Sequence, residues 1–236
     1  MFWLGVLAFA GWFSVERVAR PVMASAGYRR VEGYAELIRA AAGEFGIDPN
    51  LLAGVALAES SGRPDAVSPA GALGMFQLML PTARERAALL GLPEPEREDL
   101  LADPALNARL SAHYLRWLGR RYGGNFEAAL VAYNTGPGRL DGWIRSHGSY
   151  PAWRSESVGE SAVLAYALRV LAYRDEFAAR GHIAPASPAV GTARVLSSGI
   201  PAELPAPEPL PASVPVPDAH SDVEPVPAPG PLPDRP

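Results

Sequence analysis

Glu59 is the residue whose type and position best suit acid–base chemistry. On a helix, Leu52, Val55 and Glu59 are spaced i, i+3, i+7 and share one face, which sets a carboxylate on an apolar stripe. The helix that carries them starts at Asp48-Pro49, so Glu59 falls near its C-terminal end. Desolvation disfavours the charged carboxylate there, and the negative end of the helix dipole acts in the same direction. Both raise the pKa, as a general acid working near neutral pH requires. Periodicity alone leaves a plainer alternative open, a glutamate that emerges into solvent as its helix stops.

Two polar clusters follow. Ala58-Glu59-Ser60-Ser61 leads into a turn-rich run from Pro64 to Met79 that contains Ser68, Gly71, Gly74 and Gln77. Small residues and glycines let such a chain turn tightly and bring backbone amides near a ligand. Gln77 offers a donor and an acceptor, which suits sugar hydroxyl or acetamido groups. Further on, Ala132-Tyr133-Asn134-Thr135-Gly136 ends a helix that starts near Asn125, joining a flat apolar ring to an amide. Taken alone, this second cluster reads equally well as a helix stop.

The elements that must position these groups are helical. Tyr34, Leu37, Ile38, Ala41 and Phe45 recur at helical spacing, as do Leu106, Leu110, Tyr114 and Trp117 before Gly123-Gly124. A last helix is expected from about Ser157, where Ser157-Val158-Gly159-Glu160 fits a capping box, and its buried face holds Val163, Tyr166, Ala167, Val170 and Phe177. No sustained period-two alternation and no internal repeat is found, so the expectation is a mainly α domain.

Composition narrows the chemistry further. With no Cys, disulfides, thiol catalysis and Cys-based zinc sites are excluded; all 21 basic residues are Arg, which excludes a Schiff-base lysine. The net charge of −4 gives no electrostatic footprint for nucleic acid. Residues 1–13 are apolar without a break, and Ala24-Ser25-Ala26 resembles a small-residue cleavage site. Residues 1–26 are therefore expected to be a signal peptide or a membrane anchor, although Arg17 and Arg20 lie on the side the positive-inside rule disfavours. From 183 to 236 the chain is rich in proline and reads as a disordered tail. Between them, 27–182 is the expected catalytic domain.

Several motifs together resemble the soluble lytic transglycosylase (SLT) family. The family's E-S pair matches Glu59-Ser60, and its S-x-x-G-A-x-G-L-M-Q run matches Ser68 to Gln77. Its A-Y-N-x-G motif matches Ala132 to Gly136, and its N-P-x-x-N stretch resembles Asp103 to Asn107. The likeness spans about residues 34–175 in the family's order. It implies a lysozyme-like helical domain, mainly α within an α+β superfamily, with little or no sheet. It also implies Glu59 as the single catalytic acid/base, with Ser68, Phe76, Gln77, Tyr133, Asn134 and the late Tyr166 lining the glycan site. Three departures stand out. Phe76 occupies the Met position of L-M-Q, the proline of M-P-A-T-A is displaced to Pro81, and Ala162-Val163 fall where the family has E-T.

The activity so implied is cleavage of peptidoglycan between N-acetylmuramic acid and N-acetylglucosamine, leaving 1,6-anhydro ends, with no metal or organic cofactor. Glycosidases usually employ two carboxylates, but here Asp65 lies in a turn, Asp103 reads as a helix cap and Glu127 sits in a first helical turn. The alternatives are a goose-type lysozyme-like hydrolase, which would use water, and a non-catalytic glycan-binding or assembly protein. The expected partners are peptidoglycan strands and cell-envelope assembly proteins, with membrane contact only through the N-terminal segment. The expected location is the periplasm or cell envelope, after export.

Overall fold

The computed structural model describes residues 26–184, and the readings of 1–25 and 185–236 lie outside the described residues. Helix α1 covers residues 26–33, followed by α2 (Ala35–Phe45), α3 (Pro49–Ser60), α4 (Leu80–Leu89) and α5 (Arg97–Ala102). After these come α6 (Pro104–Arg121), α7 (Phe126–Thr135), α8 (Pro137–His147), α9 (Tyr150–Ser157) and α10 (Ala162–Arg180). Among the described residues, β structure is limited to two isolated bridges, Val67 with Leu73 and Leu73 with Leu78. The expected mainly α architecture is what the described residues adopt.

Local chemistry sets the helix ends. Asp48 accepts from Asn50 N at 2.8 Å and Asp103 from Ala105 N and Leu106 N, each with a proline at the next position. Asn125 caps α7 in the same way, accepting from Ala128 N at 3.1 Å. The last helix starts later than its sequence signature suggests. Ser157 ends α9, and Ser161 caps α10 by accepting from Leu164 N. The pattern Ser157 to Glu160 fails because Gly159 has φ +87°, outside the helical region, so the helix can begin only beyond it.

α3 is the centre of the domain. Every residue from Asn50 to Leu57 is buried, so the helix is apolar on all sides rather than along one stripe. α2 and α10 pack along it, and α6 and α7 complete the core. Gly54 permits the closest of these approaches. A Cβ there would lie 2.8 Å from Val170 O and 3.2 Å from Arg174 N of α10. The folded part also reaches past the expected boundary at 182. Ile183 is fully buried, and its carbonyl accepts from Arg39 Nη1 at 2.8 Å.

Candidate active site

Glu59 stands in the last turn of α3, where the helix meets α10. Gly54 faces Val170 and Arg174, whereas Glu59, further along α3, faces the earlier residue Tyr166; the two helices therefore run antiparallel. This close packing carries the Tyr166 hydroxyl to Glu59, where it donates to Oε1 at 2.5 Å. Tyr166 itself is buried.

The electrostatics follow from that enclosure. Burial pushes the Glu59 carboxyl up to about 7, against the Tyr166 hydrogen bond and the Arg169 charge, which both favour the ionised form. Desolvation wins. The group then holds its proton about half the time at neutral pH, the condition for passing a proton both ways. Burial and the neighbouring Glu59 raise the Tyr166 pKa well above its ordinary value, so its hydroxyl remains a donor. With Oε1 accepting that bond, the acid proton belongs on Oε2.

A short loop is fixed beside this pair from three helices. Ser60 Oγ of α3 donates to Met75 O at 2.7 Å and accepts from Arg63 N at 2.9 Å. Asn107 of α6, fully buried, accepts from Phe76 N at 3.0 Å and donates to Leu73 O at 3.1 Å. Tyr133 of α7 donates to Phe76 O at 2.9 Å, and the Glu59 charge is near enough to raise its pKa further. Gly74 has φ +76°, and a Cβ on it would lie 2.8 Å from the Asn107 side chain, so the frame requires glycine.

Gln77 sits at the tip of that loop with φ +49°, an unusual backbone state for a non-glycine residue. Its Nε2 donates to Gly74 O at 2.8 Å and to Ala66 O at 3.1 Å. Both amide hydrogens are thereby engaged, so Gln77 offers a ligand its carbonyl oxygen rather than both functions. Ser68 accepts from Ala72 N at 3.0 Å, in the turn that Gly71 N closes onto Ser68 O; its hydroxyl hydrogen is left for a ligand. Asn134 is exposed, and its side chain has no hydrogen-bond partner among the described residues.

Phe76 is placed otherwise than expected. Its side chain is fully buried in the core and does not line an open cleft, while its backbone N–H and C=O carry the loop frame. The turn that reverses the chain between Gly74 and Gln77 directs Met75 and Phe76 inward together. Glu59, Tyr166, Tyr133 and the Gln77 loop are thus gathered, and Ser68 lies at the far turn of the same loop. Sequence reasoning passed over three contributors: Ser60 and Asn107 as clamps, and Arg169 beside the acid. Asn107 had a usable signal, an amide three and four residues before Leu110 and Ser111 on one buried helix face.

The other carboxylates near these motifs are occupied elsewhere. Asp103 caps α6, and Glu127 binds Tyr150 at 2.9 Å and Arg154 at 2.5 Å. Asp65 is exposed in its turn.

The chain is similar to known proteins over much of its described part. The soluble lytic murein transglycosylase of Escherichia coli K12 is 34% identical over 121 residues, covering 50% of this chain and 19% of that protein. The membrane-bound lytic murein transglycosylase C of Histophilus somni is 36% identical over 134 residues, 53% of this chain and 37% of its own length. The transglycosylase of Enterobacteria phage PRD1 is 38% identical over 116 residues, 49% of this chain and 39% of its own. This chain therefore spans well under half the length of the curated relatives it matches. Among solved structures, the 70 kDa soluble lytic transglycosylase of E. coli superposes with TM-score 0.57 at 28% identity, over 65% of this chain and 25% of that one. An inactive Glu-to-Gln variant of the lytic transglycosylase Slt of Pseudomonas aeruginosa gives TM-score 0.56 at 28% identity, with the same coverage. The helical fold is accordingly of the lysozyme-like class. The transglycosylase SLT domain profile matches residues 36–155, just over half of the 236 residues and the stretch that holds Glu59, the loop frame and Tyr133; the chain belongs to that family.

Proposed function

We propose that this chain is a lytic transglycosylase that cleaves the β-1,4 bond between N-acetylmuramic acid and N-acetylglucosamine in peptidoglycan and leaves 1,6-anhydro-muramic ends. The observation that carries the reading is the Glu59 carboxyl, desolvated to a pKa of about 7 and oriented by Tyr166, with no other carboxylate acting on it among the described residues. Glu59 Oε2 protonates the glycosidic oxygen as the bond from it to C1 of the muramic sugar breaks, which releases the N-acetylglucosamine side. The resulting carboxylate then takes the proton of the muramic C6 hydroxyl, and that oxygen bonds to C1. One group gives one proton and regains one, so the step balances without a cofactor. An intramolecular hydroxyl has an effective molarity that bulk water cannot match. Gln77 Oε1, the Ser68 hydroxyl, Tyr133 and Asn134 are the groups assigned to the glycan, and the murein named for the relatives supports a reading in which the chain is exported to the cell envelope.

Mass spectrometry of digested peptidoglycan tests this directly. The expected products end in 1,6-anhydro-muramic acid, lighter by one water and resistant to borohydride. Mainly reducible ends would make the enzyme a hydrolase, and intact glycan would leave a binding protein.

A further inference from the structure

Resting on that reading, we infer that Arg169 is a specificity-determining residue, an unpaired cation beside the acid that engages a carboxylate of the substrate. The pyranose rings and acetamido groups of peptidoglycan are neutral, so its negative charge lies in carboxylates, on the lactyl arm of muramic acid where that arm is free or on the peptide stem. Arg169 is exposed on α10, one turn beyond Tyr166, with its guanidinium carbon 5.8 Å from the Tyr166 ring centroid. The hydroxyl of that ring is the one bonded to Glu59. Among the described residues the Arg169 side chain forms no hydrogen bond and no ion pair, its one close contact being the Tyr166 ring. By contrast, Arg109, Arg121, Arg154 and Arg180 are each held by a carboxylate: Glu44, Asp141, Glu127 and Glu32. The preceding positions on the same face of α10, Ala162 and Ala165, are exposed alanines, which leave room beside the guanidinium and bring no competing acid.

Arg169 is also the one cation among the described residues whose charge bears on Glu59. A substrate carboxylate that paired with it would cancel that charge. The ionised form of Glu59 would lose support, and the acid would be more fully protonated when correct substrate is bound. Recognition and acid strength would then be coupled through one side chain.

The test uses the full chain carrying Glu59→Gln, which binds without turnover, with and without Arg169→Gln. Calorimetry would compare three muramic-acid-containing tetrasaccharides: one with free lactyl carboxylates, one with those groups as neutral amides, and one with carboxylate-bearing peptide stems. Arg169→Gln should weaken a carboxylate-bearing ligand about tenfold and leave the neutral amide within twofold, as expected for loss of one charge-assisted contact. Loss confined to the free lactyl ligand assigns the contact to that arm, and loss confined to the stem ligand assigns it to the peptide. Equal loss on all three would reduce Arg169 to a support for Tyr166, and no loss on any would end the proposal. Failure of the Glu59→Gln chain to bind any of the three would instead overturn the proposed function, and this inference with it.

Discussion

A carboxyl and a guanidinium, Glu59 at the end of α3 and Arg86 on α4, are both drawn out of water in this domain, and they are accommodated in opposite ways. Glu59 can shed its charge, and with its pKa near 7 it does so for much of the time. Arg86 is 1% exposed and cannot, because a guanidinium stays protonated in proteins. Its surroundings compensate instead. Its carbon lies 5.0 Å from the Trp117 ring and 5.8 Å from Tyr114, two rings stacked at 5.9 Å, and Glu85 pairs with one terminal nitrogen. Its Nε and Nη1 have no hydrogen-bond partner among the described residues. Around Glu59 the protein uses directional bonds that fix atoms; around Arg86 it uses ring faces, which do not. Only the first arrangement can fix a proton at one atom.

The largest break in this contrast comes from Glu59→Gln. The amide cannot deliver a proton, so turnover of purified sacculi should fall by about 10²–10⁴-fold. The same variant should separate catalysis from stability. A carboxyl with a folded pKa raised from 4.5 to about 7 weakens the fold as pH rises through that window, by up to about 3 kcal/mol. Glu59→Gln should therefore melt higher than wild type at pH 8 and lose that advantage at pH 4. Equal melting curves at pH 8 would show that the carboxyl is better solvated than its surroundings indicate.

The directional frame is tested by Asn107→Leu. The substitution leaves Phe76 N buried without its partner, worth about 1–3 kcal/mol, and takes one of two donors from Leu73 O, which keeps Leu78 N at 3.0 Å. A fall in Tm of about 10 °C, with activity lost in the folded fraction as Gln77 shifts, is the expected result. A more modest change comes from Tyr166→Phe. Removing a hydrogen bond that favours the ionised acid raises the Glu59 pKa, so the alkaline limb of kcat/KM should move to higher pH while neutral activity drops several-fold. A limb moving to lower pH would contradict the assigned role.

Much of this frame was legible in the sequence, and the failures share one cause. Asp48-Pro49, Asp103-Pro104 and Asn125 announced their helices because capping is local chemistry. Ser157 misled because the capping-box pattern ignores the backbone state of Gly159. Glu59 was singled out for an incomplete reason, since its enclosure comes from α10 and not from a stripe on an amphipathic helix. Phe76 and Ile183 were misplaced because the inside of a turn, and the end of a core, are decided by what packs against them. Arg169 gave no sign of its importance, because its neighbours Tyr166 and Glu59 are 107 residues apart in the chain.

The smallest effect is expected at Arg86, and it probes the comparison from the other side. Replacing a buried ion pair with an apolar side chain of similar volume is often neutral or stabilising, whereas removing one partner is costly when the other is left buried and charged. Which case applies depends on Glu85. Its side chain is 53% exposed, so after Arg86→Met it is left hydrated rather than stranded. The substitution also removes two buried N–H groups that have no hydrogen-bond partner, and a flexible thioether can fill the space against Trp117 and Tyr114. Set against these gains is the loss of the cation–π contacts, about 0.5–2 kcal/mol in all. The terms nearly cancel, and thermal unfolding of Arg86→Met should give a Tm within about 4 °C of wild type. A fall of 10 °C or more would mean that ring faces hold a charge as firmly as the directional bonds around Glu59, and the distinction between the two sites would fail.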